Sequence, residues 1–267
     1  CLLEPGMSVQ FDALLPHTYE VLEDCEVFIV HLKKGNRFLG DTVMAFRKVT
    51  EFKTPEAFAE YVRSENFHIG VAPEVKADGS AALAQPVPYK GRVIGNRWAV
   101  LPMEGWDCMD DGTPSDFTMR RWLRFARSGA KLIYGTEAGA VMHTGRSNPQ
   151  QLLVAPHTGA VLKHIVSEMR RVHREKFGKD DDLVIGIQLT HSGRYSHPNK
   201  ADVLEPVTAY QHPLLDKKFH CSAANVVTDE EVGNIVQHFI AAAKVAQDAG
   251  FDFVDIKSAH GYLGHEF

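Results

Sequence analysis

The sequence is short of the features that mark several large classes of protein. Its four cysteines, Cys1, Cys25, Cys108 and Cys221, stand far apart and form no CxxC pair, so a reduced, cytoplasmic protein is expected. The histidines show no HxH or HExxH spacing, and no metal site is expected of them. No apolar run approaches the roughly 18–20 residues that cross a bilayer, and no leader pattern opens the chain, so no membrane partner is expected. Lys and Arg (29) are outnumbered by Asp and Glu (34), for a net charge of −5. With no basic run or stripe, that balance argues against a nucleic-acid partner. The chain opens on Cys1 rather than Met and is expected to be a piece of something longer.

What is present is an ordinary globular composition, 44% apolar and 24% charged over 267 residues, enough for one large domain or two smaller ones. From Asn96 onward strands and helices alternate. "NRWAVLPM" (Asn96–Met103), "KLIYGTEA" (Lys131–Ala138), "LVIGIQLT" (Leu183–Thr190) and "FDFVDIKS" (Phe251–Ser258) read as buried strands. Between them, "SDFTMRRWLRFARSG" carries Phe117, Arg121, Trp122 and Phe125 at helical spacing before Gly129. The second helix places Val161, Leu162, Ile165, Val166, Met169 and Val172 on one stripe and ends at Gly178. The third opens on a Thr228/Glu231 capping box, carries Val232, Ile235, Val236, Phe239, Ala243 and Ala246, and ends at Gly250. Near-continuous apolar strands alternating with helices imply a parallel sheet covered by helices. A Rossmann-like sheet and a (β/α)8 barrel both fit, but no GxGxxG follows a strand, which weakens the first. Four units fill this stretch, so on the barrel reading it is half of one.

Alternation along the strands assigns their faces. Val254 and Ile256 point one way, Phe253, Asp255 and Lys257 the other; Ile185, Ile187 and Leu189 oppose Gly186, Gln188 and Thr190. Assigning the apolar sets to the helix layer leaves Asp255, Lys257, Gln188 and Thr190 inside the barrel, at the strand ends where barrel active sites are built. The bland alternative is that Asp255 and Lys257 form only a structural ion pair. The nearly forty residues between Thr190 and Thr228 lack periodicity, and a loop of that length is expected to wall or cover a site.

"NRWAVLPMEG", "RWLRFARSGAKLIYGTEAGAV" with the following "TGR", "IQLTHSGRYSHP" and "AGFDFVDIKSAHGYLGHEF" together resemble the Old Yellow Enzyme family of flavin-dependent ene-reductases and their dienoyl-CoA reductase relatives, over about Ala84–Phe267. The resemblance implies a (β/α)8 barrel that holds FMN at its C-terminal mouth. It also implies NAD(P)H as reductant and hydride transfer to an activated C=C bond of a small-molecule substrate with an electron-withdrawing group; homo-oligomerisation is left open. By position, Pro102 and Met103 match the segment whose backbone lies against the flavin, and Glu104 follows where the family often has Thr or Cys. Ala138 matches the small residue near the flavin O4 edge, and Gln188 the glutamine at the pyrimidine side. Lys257 and His260 fall on the His-x-x-His or His-x-x-Asn pair that grips the substrate's activating oxygen. Tyr262 matches the tyrosine that protonates substrate carbon.

Two departures stand out. Lys257 puts a point charge where a neutral donor is usual, suited to an enolate or an anionic substrate, and Asp255 two residues back is a candidate neutraliser. Glu104 opposes an anionic reduced flavin unless it is protonated or paired. The resemblance also places the cofactor's phosphate seat, built after strands 7–8, beyond Phe267, so the chain as written is expected to embrace only one side of FMN and to be inactive alone. Residues 1–48 resemble the closing part of a cupin, with His17 at a metal-ligand position, although a plain β-hairpin remnant fits equally. Residues 49–83 read as a connecting helix and linker, and 84–267 as the barrel half. Two other readings stay open: a dienoyl-CoA reductase or amine-demethylase-like multidomain flavoenzyme, and a non-catalytic small-ligand sensor.

Overall fold

The computed structural model describes residues 47–71, 74 and 76–267; the cupin-like reading of the N-terminal segment, with His17, lies outside them. The chain divides into two units, Cys1–Pro73 and Glu74–Phe267. In the first, helix α1 (Pro55–Ser64) is started by Thr54, whose hydroxyl accepts the Ala57 N–H, with Pro55 in the first turn, where its missing N–H costs nothing. Phe52 packs on Tyr61 and Tyr61 on Phe67, at ring distances of 4.9 and 5.9 Å.

The second unit opens with a hairpin, β1 (Val87–Tyr89) and β2 (Arg92–Ile94). Lys90 and Gly91 both take positive φ between them, the geometry of a two-residue turn that matches strand twist. The hairpin is tied to the segments just before later strands: Gly95 N–H donates to Asp182 O at 3.1 Å, and Arg92 pairs with Asp252 at 2.8 Å. A parallel sheet follows. Strand β3 (Ala99–Val100) pairs with β4 (Leu132–Ile133), β4 with β6 (Val184–Thr190), β5 (Ala138–Ala140) also with β6, and β6 with β7 (Phe253–Ile256). The expected second strand is therefore one strand interrupted at Tyr134–Glu137, since β4 and β5 share the same neighbour.

Helices α2 (Asp116–Arg127), α3 (Gly159–Phe177) and α5 (Asp229–Ala249) cover one face. Ile133, Ile185, Ile187 and Leu189 meet Trp122, Leu162, Ile165, Met169 and Ala246 there in one core. Each such fully buried aliphatic side chain contributes about 1.5–3 kcal/mol of transfer free energy. The expected stripe of α3 is buried throughout apart from half-buried Val161. In that of α5, Ile235 and Ala246 are buried and Phe239 and Ala243 pack against the core, but Val236 is exposed, and Ala242 and Ala249 complete the buried line. Val236 sits about 100° around the helix from Ile235, which turns it away from the sheet. Phe117 likewise lies outside the buried side of α2, which is Thr118, Trp122 and Ala126.

The opposite face of the sheet behaves as the alternation implied. Phe253 stacks edge-on against Tyr134 at 5.2 Å, and its ring lies over Gly186 so closely that a Cβ there would run into it. Ile256 was expected under helices but is half exposed; among the described residues β7 is hydrogen-bonded to a strand on one side only. Among the described residues no helix is long and apolar enough to cross a membrane. Four parallel strands with helices on one face make the first half of a (β/α)8 barrel.

Candidate functional site at the strand ends

Parallel register aligns the C-terminal ends of the strands. Ala138 of β5 lies beside Gln188 of β6, and Gln188 beside Asp255 of β7. Gln188 Nε2 donates to Asp255 Oδ2 at 2.6 Å, and the Tyr134 hydroxyl to Asp255 Oδ1 at 3.3 Å. Asp255 is thus engaged with Gln188 and Tyr134. It is not the partner of Lys257, which corrects both the Asp255–Lys257 bridge and the idea that Asp255 neutralises the lysine.

The neutraliser comes from the segment that follows β3. Lys257 Nζ lies 3.3 Å from Glu104 Oε1, with both side chains about nine-tenths buried. The Tyr262 hydroxyl donates to the same oxygen at 2.9 Å. Ser147 Oγ donates to Glu104 Oε2, and Trp106 Nε1–H reaches both that oxygen at 3.2 Å and Ser147 Oγ at 3.0 Å. Lys257 Nζ also sits 3.9 Å above the Tyr262 ring, close enough for a cation–π attraction. Burial, and after it the Glu104 carboxylate, push the Tyr262 phenol above the usual phenol range, so it stays protonated at neutral pH.

Backbone geometry holds this cluster in place. Ala138 N–H donates to Met103 O at 3.2 Å, and Gly105 N–H to the Glu137 carboxylate at 2.5 Å. Pro102 packs against Gly135, where a Cβ would collide with the proline ring. Glu137 is buried and bonded to Arg121 of α2 at 2.5 Å, and Arg121 also forks onto Asp107. The segment 104–107 is thereby clamped between helix and strand.

The long loop after β6 forms a wall. Its Arg194 is fully buried and bonded to Asp216 of α4 (Pro213–Phe219), to Glu266 of α6 (Leu263–Glu266) at 2.6 Å, and to Tyr210 O at 3.0 Å. Tyr195 of the same loop stacks near Tyr262 at 5.8 Å. His191 is buried, accepts the Gly193 N–H at Nδ1 over 3.1 Å, and is pushed down to about 4 by that burial.

The structure therefore gathers Lys257, Tyr262, Glu104, Gln188, Ala138, Pro102 and Met103 at one end of the sheet. His260 stands apart: it is exposed, has φ of 63°, and makes no hydrogen bond or ion pair among the described residues. Ser147, Trp106 and Tyr134 join the cluster without having been singled out, and Asp255 joins it through Gln188 and Tyr134 rather than through Lys257. Ser147 directly follows "TGR" and Trp106 lies two residues past Glu104, positions that gave the only available hint.

A heteroaromatic ring with carbonyl and N–H groups along one edge fits this end of the sheet. Met103 is 73% exposed, and among the described residues the Met103 and Glu104 N–H groups donate to nothing and the Gln188 Oε1 acceptor has no partner, while Ala138 offers only a methyl group. Glu104, the carboxylate that would oppose an anionic ring, is fully paired.

Comparison with known proteins agrees with the half-barrel fold. The sequence model of the NADH:flavin oxidoreductase / NADH oxidase family matches residues 82–267. The NADPH dehydrogenase of Bacillus subtilis is 33% identical over 187 residues, covering 69% of this chain and 50% of that protein. The NADPH dehydrogenase of Listeria welshimeri is 32% identical over 183 residues, covering 68% and 48%. The chain thus spans about half the length of the curated relatives it matches. Among solved structures, an Old Yellow Enzyme from a Pichia species superposes with a TM-score of 0.55 at 24% identity, over 69% of this chain and 48% of that one. A 2-naphthoyl-CoA reductase complexed with 2-naphthoyl-CoA superposes with a TM-score of 0.53 at 17% identity, over 68% and 28%. Fold and sequence agree, and the chain belongs to the NADH:flavin oxidoreductase / NADH oxidase family.

Proposed function

We propose that this chain supplies the substrate-gripping side of an FMN-dependent NAD(P)H oxidoreductase that reduces an activated C=C bond of a small molecule. The observation that carries this reading is the meeting of Lys257 Nζ and the Tyr262 hydroxyl at a single carboxylate oxygen, 3.3 and 2.9 Å away. Donors that converge on one anionic oxygen are the groups needed where a substrate gathers negative charge in the transition state. FMN, when bound, supplies the hydride acceptor and donor; Pro102, Met103, Glu104, Ala138 and Gln188 are the residues that would hold its ring. Lys257 keeps two N–H groups beyond the one facing Glu104, and these bind the activating oxygen of the substrate. Tyr262, protonated and walled by Tyr195, hands its proton to substrate carbon. His260, exposed and outside the cluster, is given no part in this grip.

The test uses the whole FMN-loaded protein under anaerobic conditions. NADPH is expected to bleach the flavin absorbance and a cyclic enone to restore it. Tyr262→Phe is expected to slow the second step about 100-fold, the usual contribution of one general acid, and to leave the first unchanged. Equal loss of both steps would overturn the role given to Tyr262.

A further inference from the structure

Glu104 is the centre of its cluster rather than a bystander at the flavin. Lys257, Tyr262, Ser147 and Trp106 all donate to its two oxygens. Its side chain is 9% exposed, and that of Lys257 10%. Four donors from three segments of the chain, Trp106 beside Glu104, Ser147, and the Lys257–Tyr262 turn, close on one buried carboxylate and make a complete anion seat that the protein fills with its own side chain. We propose that Glu104 is the resident occupant of the oxyanion seat, that it restricts the site to uncharged substrates, and that a small free carboxylate takes its place once the side chain is shortened.

The reasoning is one of charge and proton count. The Lys257 ammonium and the Glu104 carboxylate sum to zero, so no net positive charge is left to attract an anion. A substrate carboxylate placed beside Lys257 would stand against Glu104, and two adjacent carboxylates repel. A neutral carbonyl oxygen meets no such penalty and takes the remaining Lys257 N–H groups. Tyr262 has one proton, and it rests on Glu104; Glu104 therefore fixes where the phenol points and acts as a positioning residue. The substrate clause rests on the function proposed above. The seat itself does not, because all of its donors belong to this chain.

The seat is tested first, without flavin or nicotinamide, on the whole chain. Tyr262 ionisation is followed by the ultraviolet tyrosinate band, with a Tyr262→Phe background subtracted. The groups acting on Tyr262 are Glu104, Lys257, Ser147, Ser192 and the Tyr195 ring. Glu104→Ala is expected to lower the pH at which Tyr262 ionises, and acetate to raise it again saturably; acetamide should do nothing, and wild type should ignore both. Absence of an acetate response in Glu104→Ala, or the same response in wild type, overturns the seat. Glu104→Gln, which keeps the volume, guards against misfolding of the alanine variant: it should lower the Tyr262 ionisation and block acetate, and an unshifted Tyr262 refutes the idea. The substrate clause is then read with FMN-loaded protein. Wild type should favour the methyl ester of an unsaturated acid over the free acid, and Glu104→Gln should narrow that preference about tenfold. An unchanged preference, with the acetate response intact, removes the substrate clause and leaves the seat.

Discussion

His191 makes the stability of this half-barrel sensitive to acid. The residue is 1% exposed, and Nδ1 accepts the Gly193 N–H, so the neutral form with its proton on Nε2 is the one the fold requires. It is held against Gly145, where a Cβ would strike the imidazole, and the Leu263 N–H donates to its carbonyl oxygen at 3.1 Å. Burial, and then His238 of α5, depress its ionisation from 6.5 to about 4. The sign follows from proton counts: between pH 6.5 and 4 the unfolded chain binds a proton that the native state refuses, so stability falls as pH falls through that window. A shift of this size, at about 1.4 kcal/mol per unit, corresponds to about 3 kcal/mol lost by pH 4. That is a large share of the roughly 5–15 kcal/mol of a typical domain. His191→Asn retains an acceptor for the Gly193 N–H and removes the titration. Urea unfolding at steps from pH 7 to 4, followed by fluorescence of fully buried Trp122, should show the wild type losing about 3 kcal/mol more than the variant. Glu137, whose carboxyl is pushed up to about 7 by burial, contributes with the opposite sign but is common to both proteins and cancels in the difference. Equal acid sensitivity of the two would refute the assignment.

The remaining expectations concern packing and the buried pair. Gly186→Ala drives a Cβ into the Phe253 ring and is expected to cost about 1–3 kcal/mol by overpacking; thermal unfolding checks it, and a neutral result would mean that Phe253 moves aside freely. Lys257→Met leaves Glu104 with three neutral donors and no counter-charge. It should destabilise by about 3 kcal/mol, as breaking buried pairs does, and Glu104→Gln added to it should recover most of that loss in the same denaturation assay.

Much of this architecture was legible in the residues themselves. The 3.6-residue stripe of α3, the Thr228/Glu231 box and the two-residue alternation of β6 are local patterns, and each led to the observed element and face; in β7 the alternation held for Phe253 and Val254 but not for Ile256, which is half exposed. The alternation also placed Gln188, Asp255 and Lys257 on the inner side, because side chains of a strand have only two directions to take. Where local pattern misled, a neighbour decided. Val236 satisfied a helical stripe yet faces away, since the packing angle of α5 on the sheet selects one line of side chains among several apolar ones. "KLIYGTEA" read as one strand, but the close approach of Pro102 to Gly135 interrupts it.

The pairing of charges lay beyond any local pattern. Sequence placed Asp255 two residues from Lys257 and suggested a partner by proximity. Strand geometry instead turns Asp255 to Gln188, on the neighbouring strand and 67 positions away, and brings Glu104 to Lys257 across 153 positions and to Tyr262 across 158. By itself the sequence determined the repeating units, the inward residues and the family to which they belong, because those follow from periodicity and from residue types in order. Only the tertiary structure decided that Glu104 occupies the meeting point of four donors and that His260 stands outside it. Parallel strands align their ends in space regardless of how far apart those ends lie along the chain.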